Sequence, residues 1–165
     1  MNLTRVQYTT IRIRLAGIVG EANILFKDDP RRKDREGGYF YVSDGARDWD
    51  HFVPFQIGFV PLTRIEKCRD LSQEQARRLI AHPDHLSSYE SRDPNEGMWG
   101  HWGGAIRIKG TIFSFGGFSE LENEALMLML ARVHYGLDPE VLPLLQRIAA
   151  LSENSYFERL SAVYA

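Results

Sequence analysis

Apolar residues near the N-terminus recur at Tyr8, Ile11, Leu15, Ile18 and Ala22. Steps of three and four put them on one face of a helix. Ile11, Ile13 and Leu15 also alternate with Arg12 and Arg14, as in a half-buried strand. The helical set is longer, so residues 4–19 are read as a helix that stops at a left-handed Gly20. Ile24 to Phe26 then opens a first strand. Tyr39 to Val42 is a short strand, followed by a turn from Ser43 to Asp50. Val53, Phe55, Ile57 and Phe59 alternate with Pro54, Gln56, Gly58 and Val60. That is strand periodicity, and Pro54 and Pro61 place it at an edge or mark its ends.

Ser72 and Gln75 form a capping-box pattern that opens a helix. It should stop near Ala81, because Pro83 disfavours helical geometry at His82. Residues 82–97 are polar and turn-rich and predict a long connection with at most one short helical turn.

The stretch from Trp99 to Gly136 is the most legible. Ile106–Ile108 and Ile112–Phe115 flank Lys109-Gly110, which predicts a hairpin with Gly110 at positive φ. After Gly116-Gly117, Ser119 caps the next helix and Glu122 completes a box. Glu120, Glu122 and Glu124 lie in its first turns and Arg132 and His134 in its last, the order a helix dipole favours. The ALMLMLA run between them is apolar all round, so this helix should be enclosed. Asp138-Pro139 starts another helix, Pro143 kinks or restarts it, and Ser152 to Tyr164 forms the last.

Strands come in neighbouring runs and do not alternate with helices. The expected fold is therefore α+β: an antiparallel sheet of four to five strands, with helices packed mainly on one face and helices at the C-terminus. One domain spans 1–165, with 137–165 a helical extension packed on it. In shape this resembles the PAS- or profilin-type architecture, a resemblance that implies no function.

Composition narrows the options. With 44% hydrophobic and 25% charged residues, the chain is neither disordered nor collagen-like. Its net charge of −2 and scattered arginines (Arg12, Arg14, Arg77, Arg78) disfavour nucleic acid. No apolar run suggests a signal peptide or membrane span. The lone Cys68 excludes an internal disulfide; at a strand end beside Lys67 and Arg69, it reads as incidental. A cytoplasmic protein is expected.

Candidate chemistry is sparse. GxGxxG, GxxxxGK[ST] and GxSxG patterns are absent. Gly116-Gly117 precedes a helix N-terminus that could hold an anion, but Glu120 and Glu122 occupy that end. Arg31, Arg32 and Lys33 could grip an anion too, yet Asp28, Asp29, Asp34 and Glu36 neutralise them, which favours a solvated loop. His82, Asp84 and His85, with His101 or His51, are possible zinc ligands; the same residues also read as helix end, turn and cap. Asp48, Asp50 and His51 beside Trp49 are the one cluster worth testing as catalytic.

The aromatic, Gly-rich loop Met98 to Trp102 is the preferred site. Trp99 and Trp102 offer ring faces and indole donors, His101 lies between them, and Tyr39 and Tyr41 would join if their strand neighbours the hairpin. The alternative is a satellite core over the sheet end. The leading expectation is thus a non-catalytic domain binding a small organic ligand or a protein partner. A metal-dependent hydrolase-like enzyme and a self-associating homodimer are the alternatives. No cofactor is indicated by any motif.

Overall fold

The computed structural model describes residues 5–44 and 53–164. The cluster of Asp48, Trp49, Asp50 and His51 lies outside the described residues. Helix α1 (Arg5–Leu25) runs straight through Gly20, contrary to the expected stop. Gly20 is exposed, and a Cβ there would meet nothing. The apolar face continues instead: Ile11, Leu15, Ile18, Ala22 and Phe26 are all buried. Ile24 to Phe26 is therefore the end of a helix and not a strand; the Phe26 amide still donates to the Ala22 carbonyl.

Strands β1 (Gly38–Ser43), β2 (Phe55–Ile57), β3 (Ala105–Ile108) and β4 (Thr111–Gly116) form one antiparallel sheet in the order β2-β1-β4-β3. Strand β2 is shorter than its periodicity suggested, because Gly58 takes φ +73° and turns the chain away. In the β3–β4 hairpin Ile108 pairs with Thr111, and both Lys109 and Gly110 have positive φ (50° and 79°). A tight primed turn requires that geometry.

Phe40, Val42, Ile106, Ile108, Phe113 and Phe115 of the sheet share one apolar cluster with α1, α3 (Glu120–Tyr135), α4 (Val141–Leu151) and α5 (Ser155–Val163). Every residue of α3 from Glu122 to Ala131 is buried. Helix α2 (Ile65–Ala81) covers the opposite face, where Ala76 and Leu79 meet Tyr41, Ala105 and Ile112. The architecture is α+β, with four of the five helices on one side.

Three boundaries move for physical reasons. Helix α2 starts seven residues before Ser72, after a 3-10 turn (Leu62–Arg64). Cys68, Leu71, Gln75, Ala76 and Leu79 form its buried face, and the Ser72 hydroxyl donates to the Arg69 carbonyl from mid-helix. A capping box does form, but at Ser87 and Glu90, over the short 3-10 turn Ser88–Ser91. Helix α4 begins at Val141 and not at Pro139, which lies in a turn closed by the Val141 amide on the Asp138 carbonyl; Pro143 falls in the first turn, where amides have no intrahelical acceptor, so no kink follows. Among the described residues no helix is long and apolar enough to cross a membrane.

Candidate functional site

Where β4 leaves the sheet, backbone approaches backbone. A Cβ on Gly117 would lie 2.6 Å from the Gly37 carbonyl oxygen and 2.7 Å from the Gly38 Cα, and one on Gly116 would lie 2.6 Å from the Cys68 carbonyl oxygen. Glycine at these positions closes the sheet end and leaves a cleft above it of about 460 Å³. Its walls are the 31–35 loop, the start of α2, the N-terminus of α3, and Trp99 with Trp102.

The lining is strongly basic. Arg31, Lys33, Arg35, Arg64 and Lys67 face the cleft, and Glu120 is the acid among the lining residues. Arg31 reaches Asp29 at 3.4 Å. Among the described residues no carboxylate pairs with Lys33, Arg35, Arg64 or Lys67. Arg64 donates weakly to the Gly117 carbonyl (3.3 Å), and Lys67 Nζ lies 5.7 Å from the centre of the Trp99 ring. Glu120 is engaged elsewhere, with Arg92 at 2.6 Å and the Gly103 amide at 2.9 Å. Burial, reinforced by neighbouring Arg64, holds the Arg35 pKa below its ordinary value. Burial also pushes the Cys68 thiol up, against the pull of Arg64, Arg35 and Lys67.

Donors are left over as well. Gln75 is fully buried; its Oε1 accepts from the Ser114 hydroxyl at 3.1 Å, while its Nε2 has no partner. The Trp99 indole nitrogen is buried without a partner too. A buried donor without an acceptor is rare and costly. The expected box at the start of α3 does not form: Ser119 occupies the N-cap without a side-chain cap bond. Glu122 turns inward to Arg32 at 2.9 Å, and Asn123 instead accepts from the Phe118 amide at 2.9 Å. Of the two acids that argued against an anion at this helix end, Glu122 points away, and Glu120 stays on the cleft wall with its charge paired to Arg92.

Two arginines hold the walls. Arg32 is 3% exposed, where a solvated loop was expected. Its guanidinium binds Glu122, the Arg35 carbonyl (2.8 Å) and Asn23, and covers the Phe118 ring at 3.9 Å. This fixes the loop that carries Arg31, Lys33 and Arg35. Arg78 joins Glu74 (2.6 Å), the Ser88 carbonyl (2.6 Å) and the Trp102 carbonyl. The Trp102 indole then donates to the Trp99 carbonyl at 2.7 Å.

The sequence-derived candidates separate. Trp99 and Trp102 both line the cleft, are half-buried, and belong to neither apolar cluster. His101 lies on a smaller pocket of about 280 Å³ that shares Trp99 as a wall, with its Nε2 3.5 Å from Glu74. Tyr39 bonds Gln56 from β1 at 3.3 Å, and Tyr41 is buried under α2 at 2% exposure; neither lines the cleft. The His82 and His85 rings stack at 4.7 Å, and Arg107 gathers the carbonyls of His82, Pro83 and His85. Among the described residues no group of three His, Cys, Asp or Glu has metal-holding geometry. Sequence reasoning named Lys33 with Arg31 and Arg32 as a possible anion grip but favoured a solvated loop, and it missed Arg35, Arg64, Lys67 and Gln75 as cleft residues. The basic run at 31–33 was the one available signal.

Compared with models of known protein families, with curated proteins and with solved structures, the chain matches none.

Proposed function

We propose that the chain is a non-catalytic binding domain whose cleft at Trp99 and Trp102 holds a small organic anion. The observation that carries this reading is chemical one-sidedness. The unsatisfied groups around the cleft are cations and N–H donors, so a complementary occupant brings acceptors and negative charge. Its volume, about 460 Å³, falls within the usual small-molecule range. The aromatic walls suit a ligand with a planar part.

Titrating indole fluorescence with a panel of aromatic carboxylates and phosphate esters tests it. Trp99→Ala/Trp102→Ala should abolish binding and leave the far-UV spectrum and cooperative unfolding intact. Global unfolding of that double variant would favour the satellite-core reading. Absence of binding by every panel member would overturn the proposal.

Self-association is a second reading. A groove of about 670 Å³ beside α4 and α5 is lined partly by Leu142, Ala149, Ala150 and Phe157, and Leu142 is 45% exposed. A monomer in sedimentation at high concentration removes it.

A further inference from the structure

Resting on that reading, we infer that the anion is a phosphate monoester carried on a planar ring, and not a carboxylate. The first reason is charge. Lys33, Arg35, Arg64 and Lys67 face the cleft without an acidic partner among the described residues, in a chain whose net charge is −2. A carboxylate supplies one negative charge, whereas a phosphate monoester supplies about 1.5 to 2 near pH 7. Arg35 and Arg64 are close enough to repel, and burial strengthens that repulsion. An anion between them offsets that repulsion, and a doubly charged one interacts with the two cations about twice as strongly as a singly charged one.

The second reason is the number of donors. A carboxylate accepts at two oxygens, with about four lone-pair sites. The guanidinium forks of Arg35 and Arg64, the ammonium groups of Lys33 and Lys67, and the unpartnered, fully buried Gln75 Nε2 are among the donors that border this cleft. The uncapped start of α3 lies at its lip and adds backbone amides of the kind that hold phosphate. Three phosphate oxygens use this set more fully than two carboxylate oxygens.

The third reason is the wall itself. The Trp102 ring is held by its indole donation to the Trp99 carbonyl, and Arg78 holds the Trp102 carbonyl. A ring fixed in this way offers a stacking surface to a planar ring at little entropic cost. A ring attached directly to the phosphate and one attached through a sugar share this chemistry.

Isothermal titration of the whole chain with phenyl phosphate, adenosine 5′-monophosphate, benzoate and inorganic phosphate separates these cases. At least one ester should bind about tenfold or more tightly than benzoate, and tighter than inorganic phosphate. The tighter ester identifies how the ring is attached. Arg35→Gln should weaken that ester about tenfold or more and benzoate less; Lys33→Gln/Lys67→Gln provides the same comparison on more accessible positions if the first variant unfolds. Benzoate binding at the cleft as tightly as both esters overturns the phosphate assignment and leaves the anion-binding reading standing. Inorganic phosphate binding as tightly as both esters overturns the ring. If none of the four binds, this inference falls, and the wider panel of carboxylates and esters decides the anion-binding reading.

Discussion

Glu122 offers a direct measurement of how burial and ion pairing compete in this fold. Its side chain is 1% exposed and faces Arg32 at 2.9 Å. Burial raises its pKa from 4.5 to about 7, outweighing the opposing pull of Arg32. Between these values the folded chain keeps a proton that the unfolded chain has released. Stability must therefore fall as pH rises through the interval, and below pH 4.5 the penalty is absent. The full difference amounts to about 3 kcal/mol. Glu122→Gln keeps the shape and an acceptor for Arg32 but removes the titration. Urea unfolding of both proteins, followed by circular dichroism between pH 4.5 and 8, isolates this group, because every other titrating residue is common to both. The stability of the variant relative to the parent should rise by about 3 kcal/mol across that range, a shift of about 1–2 M in urea midpoint. A pH-independent difference, or a relative loss for the variant as pH rises, would show that the ion pair dominates and would refute the reasoning.

Two further substitutions probe the frame around the cleft. Phe113 is fully buried, stacks on Phe40 at 6.5 Å and meets the Tyr135 ring edge-on at 6.4 Å. Phe113→Ala should cost about 3–5 kcal/mol in chemical denaturation; a loss below about 1 kcal/mol would contradict the packing described. Gly117→Ala drives a Cβ into the backbone of Gly37 and Gly38, so the sheet end must shift. It should lower Tm by several degrees, about 1 kcal/mol or more, and weaken anion binding. Unchanged Tm and affinity would show that this close approach does not shape the cleft.

The elements legible in the sequence were those whose local chemistry and tertiary environment agree. Lys109-Gly110 permits only a tight turn, and the ALMLMLA run can only be enclosed, so hairpin and helix stand where periodicity put them. The errors fall where a local signal had two meanings. Gly20 can end a helix or simply occupy its open side, and the packing of Phe26 on buried Tyr156 of α5, at 5.0 Å, decides for the second. Ser72 and Gln75 carry the letters of a cap, but the sheet face requires α2 to reach back to Cys68. Ser119 and Glu122 carry the same letters, and a distant Arg32 draws Glu122 away.

The site was half legible for a related reason. Trp99 and Trp102 announce themselves, because large rings in a Gly-rich loop must rest on something. The charge of the cleft does not, since it is assembled from Lys33 and Arg35 in one loop and Arg64 and Lys67 at the head of a helix. Read along the chain, each cation has an acidic neighbour: Asp34 and Glu36 for the first pair, Glu66 for the second. Neutrality along the sequence is not neutrality in space. Asp29 is drawn to Arg31 and Tyr156, and Glu120 to Arg92. Asp29 thus offsets Arg31 alone and Glu120 is paired to Arg92, so Lys33, Arg35, Arg64 and Lys67 have no carboxylate partner among the described residues. Among the described residues, a chain of net charge −2 thus concentrates unpaired positive charge in one place, and the proposed anion answers that local excess more than the tryptophans.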